Sequence, residues 1–250
     1  MTTVFSQQYL GEKLTDTLGN TLSKQELQSC LASMEIVQPP VAKQFWQSAE
    51  MNAGIYVILA GKVRLSDSSD DLITTLSAWS SFGEMTLFPE ENFNHYSARS
   101  SQNLELGYLK PEVLQGLMNK YPHIRDRLFS RAEIWDLLLW CRQNSGFPGH
   151  PAEFHAMLKA LSFFERHNLE IGSVNTQFPD SHLWLLYKGQ LLHSQGESLT
   201  PGQISAEPNQ GHWQAIQPTI AYILKSSNWL KAREHCPALG SFVPEPEHQD

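Results

Sequence analysis

Positive charge is scarce in this 250-residue sequence: 18 Lys and Arg face 26 Asp and Glu, for a formal net charge of −8. The deficit is even along the chain. Residues 1–145 hold 12 basic against 16 acidic residues and residues 146–250 hold 6 against 10, so each part carries −4. Neither part offers the basic face that a phosphate backbone needs, which argues against nucleic-acid binding. Cysteine is also sparse. Cys30, Cys141 and Cys236 lie far apart and form no CxxC, which argues against a disulfide framework or zinc cluster and fits a reducing, cytoplasmic setting. No apolar run approaches the roughly 18 residues of a membrane span; "IWDLLLWC" has only eight residues. The N-terminus has no basic start followed by an apolar core, so it does not read as a signal peptide. Enzyme motifs are missing as well: there is no GxSxG, P-loop or GxGxxG, and the ten histidines form no HxH or HExxH. The expectation is a non-catalytic protein without a metal site.

What is present suits buried cores: 41% hydrophobic residues, with 12 Phe and 7 Trp. Residues 1–33 read as amphipathic helix, with Ser23–Lys24–Gln25–Glu26 as a capping box. From Ile36 to Leu109 the texture becomes short β-type runs, "IYVILAG", "KVRL", "DLITTL" and "LELGYL", with "DSSDD" as a hairpin tip. After Lys110, a Pro-initiated segment with apolar residues every three or four predicts a helix pair, or one helix interrupted near Pro122. "SGFPGHP" then breaks the chain and marks the best domain boundary.

The second half repeats this order of elements. "IYVILAGKVRL" (55–65) aligns with "LWLLYKGQLLH" (183–193), pairing Gly61 with Gly189. "LSAWSSFGE" (76–84) aligns with "LTPGQISAE" (199–207), pairing Glu84 with Glu207. "LKPEVLQGLMNKYPHI" (109–124) aligns with "LKSSNWLKAREHCPAL" (224–239), pairing Tyr121–Pro122 with Cys236–Pro237. The predicted fold class is therefore mainly β with flanking α (α+β), as two domains in tandem. Residues 1–145 form the first, with its N-terminal helices; residues 146–240 form a shorter second; residues 241–250 form a linker-like tail.

Three motifs of the first copy resemble the cyclic nucleotide-binding domain family: "YVILAGKVRL" as its strand pair, "FGEMTLF" as the opening of its phosphate-binding cassette, and "LGYLKPEVLQGLMNKYP" as its closing strand and helix. The resemblance implies two antiparallel β-rolls with flanking helices. It also implies a pocket for a cyclic nucleotide, in which an arginine and backbone N–H groups meet the phosphate and a glutamate accepts from the ribose 2′-hydroxyl. Carried over, Gly83 and Glu84 stand at the matching positions, with Met85 following. The arginine's position, ten residues after the glutamate, holds Asn94, followed by His95, whose protonated ring could replace part of the charge. The nearest arginine, Arg99, falls five residues late, within the next predicted strand. A lost charge-assisted contact costs on the order of 1.5–3 kcal/mol. The second copy departs further: Ser205–Ala206 replace Phe–Gly, and no arginine occurs between Lys188 and Lys225.

These readings predict a regulatory or sensor module with altered or lost cyclic nucleotide binding. It would control an attached or partner domain, with a homodimer through residues 111–142 as one option. A structural scaffold and a catabolite activator-type transcription regulator are the alternatives. The tandem arrangement, ending in the Pro- and acid-rich "PALGSFVPEPEHQD", resembles the N-terminal region of cyanobacterial peptidase-containing ABC exporters, so that a membrane would be met only through an attached transporter.

Overall fold

The computed structural model describes residues 7–48, 53–144, 154–174, 178, 180–206 and 212–242. The chain divides into two compact units, Met1–Asp136 and Leu137–Asp250.

The first unit opens with two helices, α1 (Gln7–Leu18) and α2 (Lys24–Ser33), within the stretch 1–33 that reads as amphipathic helix. Gly19 breaks it. Its φ of +98° is left-handed, and its N–H returns to Thr15 O at 2.8 Å, which closes α1. Ser23 then restarts the helix through the expected capping box, its Oγ accepting from Glu26 N while Glu26 Oε2 accepts from Ser23 N at 3.0 Å. This hairpin is held by the helices that end the unit. Glu26 accepts from Lys120 Nζ at 2.5 Å and Tyr121 Oη at 2.7 Å, and Arg127 donates to Asp16 O and Thr17 O at the C-terminal end of α1.

Eight strands come next: β1 (Glu35–Val37), β2 (Gln44–Gln47), β3 (Ile55–Ala60), β4 (Lys62–Ser66), β5 (Leu72–Ser77), β6 (Ser81–Phe82), β7 (Ser97–Ser100) and β8 (Glu105–Leu109). They pair antiparallel in two four-stranded sheets, ordered β1-β8-β3-β6 and β2-β7-β4-β5, an antiparallel β-roll with flanking helices. The "DSSDD" tip joins β4 to β5, with Asp67 Oδ1 accepting from Ser69 N and Asp71 N at 2.9 and 3.0 Å. The helix pair is α3 (Pro111–Lys120) and α4 (Pro122–Asn144). The division between the units falls within α4, and the predicted boundary stretch at 145–151 lies outside the described residues.

The second unit contains α5 (Phe154–Leu161), then β9 (Phe164–Leu169), β10 (Gly172–Ser173), β11 (Ser181–Lys188), β12 (Leu191–His193), β13 (Ser198–Leu199), β14 (Ile204–Ala206), β15 (Trp213–Ala215) and β16 (Thr219–Lys225), then α6 (Ser226–His235). Its sheets are ordered β14-β11-β16-β9 and β10-β15-β12-β13. Counted from the first strand of each unit, this is the same pairing order as in the first unit. Two local details recur. Gly61 and Gly189 both take positive φ at the turn after a long strand, and a Cβ there would fall within 3 Å of the backbone that leads into the closing strand. Tyr121 and Cys236 both end a ten-residue helix just before proline, with φ of −130° and −131°. The core of this second unit is built on Trp184, Trp213, Leu186 and Ile223. Pro237–Phe242, at the start of the Pro- and acid-rich C-terminal stretch, is a 3-10 helix; the residues beyond it lie outside those described.

Candidate functional site

The cassette runs from β6 to β7 along the first unit. Gly83 opens it with φ +104°, and a Cβ there would lie 2.4 Å from Gly54 O, so only glycine lets the two loops touch. Thr86 Oγ1 links the same loops, donating to Gly83 O at 2.6 Å and accepting from Gly54 N at 3.0 Å. The next turn, Glu84–Leu87, is a 3-10 helix with Glu84, Met85 and Leu87 buried.

Three polar groups of this cassette that could face a ligand have internal partners. Gly83 N–H donates to Tyr96 Oη at 3.0 Å. Glu84 is 0% exposed, and its Oε1 accepts from Arg131 Nε at 3.0 Å, Arg131 Nη2 at 2.7 Å and Ser81 Oγ at 3.2 Å. Asn94 donates twice to Asp136 Oδ1, from its backbone N–H at 2.7 Å and from Nδ2 at 2.9 Å. Burial, reinforced by the neighbouring Glu84 charge, drives the Tyr96 phenol far above its ordinary pKa, so the hydroxyl stays protonated.

Aromatic rings fill the space behind these contacts. Tyr96 stacks on Trp135 (centroids 5.5 Å apart, planes at 11°) and tilts against Trp46 at 5.0 Å, while Tyr56 stacks on Phe82 at 5.2 Å. At the other end of the cassette, Phe129 packs edge-on to Phe88 and tilted against Phe93.

Of the predicted site residues, Gly83, Glu84 and Met85 come together, and Asn94 lies at the far end of the same segment beside His95. His95 is exposed, its ring nitrogen Nδ1 3.3 Å from Ser48 Oγ. Arg99 stands apart. It alternates outward on β7 between buried Ala98 and Ser100 and pairs with Asp70 of the hairpin tip at 3.2 Å. Glu207 of the second copy lies outside the described residues.

Sequence reasoning missed Tyr96, Arg131 and Asp136. Tyr96 carried a signal in the period-2 run Tyr96, Ala98, Ser100, all inward. Arg131 stands four residues before the buried Trp135, on the flank of the stripe Leu128, Ala132, Trp135 and Leu139, a poor place for an unpaired charge. Its partner is 47 positions away, and no local pattern marks that distance.

A cleft of about 320 Å³ opens beside the cassette, lined by Met85, Thr86, Phe93, Asn94 and His95 among others. Among the described residues its lining contains no lysine or arginine and includes Glu91. Residues 45–121 match the cyclic nucleotide-binding domain family. The match ends one residue before α4, which supplies Arg131 and Asp136. No curated protein matches the chain. Many solved structures are similar to it, among them these three. The regulatory domain of Toxoplasma gondii protein kinase A with cAMP is 14% identical, covering 94% of this chain and 95% of that one (TM-score 0.43). The regulatory subunit of a cAMP-independent protein kinase A from Trypanosoma cruzi bound to guanosine is also 14% identical, covering 94% and 84% (TM-score 0.39). The catabolite activator protein of Thermus thermophilus is 25% identical over 44% of this chain and 54% of that one (TM-score 0.37).

A cyclic nucleotide offers one ribose hydroxyl, the 2′, to a carboxylate and one anionic phosphate to donors. In the matched segment and at its edge, groups of these kinds already have protein partners. The Glu84 oxygen that accepts hydrogen bonds is held by a cation, the Gly83 donor by a phenol, and the Asn94 donors by a carboxylate.

Proposed function

We propose that the chain is a non-catalytic regulatory module of two duplicated β-roll domains, bounded near residues 145 and 240. The first has given up cyclic nucleotide binding and works through protein contact on an attached or partner domain, such as a transporter. One observation carries this reading: the Asn94 donors, at the position where the resemblance places the phosphate-binding arginine, are taken by the Asp136 carboxylate of α4, while Oε1 of the buried Glu84 is ion-paired to Arg131 of the same helix. The identical strand order of the two units supports the duplication.

A homodimer through residues 111–142 is less favoured than an attached domain, because Trp135, Leu138, Leu139 and Cys141 are already buried in the single chain. A DNA-binding role is disfavoured because α4 leads into a second β-rich unit of net negative charge.

Calorimetry with cyclic AMP, cyclic GMP and cyclic dinucleotides, run near pH 6 and pH 8, tests the reading. No binding heat is expected. Saturable micromolar heat with any of them would return the first domain to the cyclic nucleotide sensors.

A further inference from the structure

Glu84 and Asn94 stand at opposite ends of the cassette, and both are met by one helix. Arg131 of α4 brings a guanidinium to Glu84 and Ser81, and Asp136, five residues on, brings a carboxylate to Asn94. The two charges are opposite in sign, and each complements the group it meets: a cation for the carboxylate, an anion for the donors. Phe129, between Phe88 and Phe93, and Trp135, on Tyr96, add an apolar contact beside each charge. Asp136 is 3% exposed. A buried carboxylate needs partners, and the Asn94 N–H and side-chain amide are two of them.

We propose that α4 is a built-in ligand of this cassette, with the Asp136 carboxylate standing where an external anion would bind. Docking of α4 and anion binding at Asn94 are then mutually exclusive. The cassette is held in a liganded-like arrangement without a small molecule, and a partner that draws α4 away would release it. The proposal rests on the cassette being closed to cyclic nucleotides, but it fails separately: nucleotide binding by the native chain overturns that closure, whereas substitutions at Asp136 test the built-in ligand.

The test uses the full chain, with amide hydrogen exchange and cyclic AMP calorimetry as readouts. Asp136→Ala is expected to speed exchange at residues 93–96 by about tenfold or more, since a charged acceptor is lost there. Asn94→Arg alone is expected to bind cyclic AMP poorly, because its guanidinium meets Asp136. Asn94→Arg combined with Asp136→Ala is expected to bind about tenfold tighter or better, as the competing anion is gone. Asp136→Asn keeps the volume and one oxygen while removing the charge, and it carries the same comparisons if the alanine variant does not fold. Unchanged exchange at residues 93–96 would overturn the proposal. So would equal affinity, including none, of the Asn94→Arg chains with and without Asp136.

Discussion

Replacing Arg131 with alanine strands a carboxylate that is 0% exposed. In the native chain Glu84 Oε1 accepts two hydrogen bonds from Arg131 and one from Ser81, while its buried Oε2 accepts none among the described residues. The substitution leaves one neutral donor for a buried charge. Removing one partner of a fully buried pair costs about 3–5 kcal/mol. Arg131 is 32% exposed, so water reaches the vacated space and screens part of the loss, and about 2–3 kcal/mol is expected. Urea denaturation of the full chain, tracked by far-ultraviolet circular dichroism, measures it. Lys13→Ala serves as the control, since it breaks an exposed pair with Asp16 and should cost no more than about 0.5 kcal/mol. Glu84→Gln in the Arg131→Ala background should recover part of the loss, because a neutral amide needs no cation. An Arg131→Ala cost within about 0.5 kcal/mol of the control would refute the buried-pair argument.

Other contacts carry further expected outcomes. Tyr96→Phe removes the acceptor of a buried N–H at Gly83 and should destabilise by about 1–3 kcal/mol in the same denaturation assay; a neutral effect would mean that N–H has another partner. Glu26 is held well below its ordinary pKa, first by Lys120 and then by Ser23 and Tyr121, so its contribution is present above the unfolded value near 4.5 and is lost as pH falls toward the folded one. Thermal melts should show Glu26→Gln destabilising at neutral pH and converging on the native chain in acid, and parallel curves would contradict this. Gly61→Ala and Gly189→Ala each force a side chain into a left-handed turn against backbone and should each cost about 1–3 kcal/mol; if only one does, the two turns are not equivalent.

The sequence carried much of the first unit. Short runs rich in Ile, Val, Leu and Tyr marked β3, β4, β5 and β8; Pro111 and Pro122 placed α3 and α4; and Ser23–Glu26 placed the start of α2. Short strands such as β1 and β6 escaped, because two or three residues cannot show a period and their place is set by the sheet that receives them. Within 1–33 the end of α1 at Gly19 escaped, because the amphipathic spacing continues on either side of this left-handed glycine. At the site, Gly83 and Glu84 were legible from a local motif. The groups that decide what the motif can do were not, because Tyr96, Arg131 and Asp136 reach it through tertiary contacts across 13 to 47 positions. "FGE" is a local motif, whereas Arg131 and Asp136, which meet Glu84 and Asn94, come from α4.

The two backbone amides at issue can be watched directly. In a nitrogen–proton correlation spectrum of the full chain, titrated with cyclic AMP to about 1 mM, the Gly83 and Asn94 amides are predicted to stay where they are. They already donate to Tyr96 and Asp136. Saturable shifts of both amides at micromolar ligand would contradict a cassette closed by its own chain.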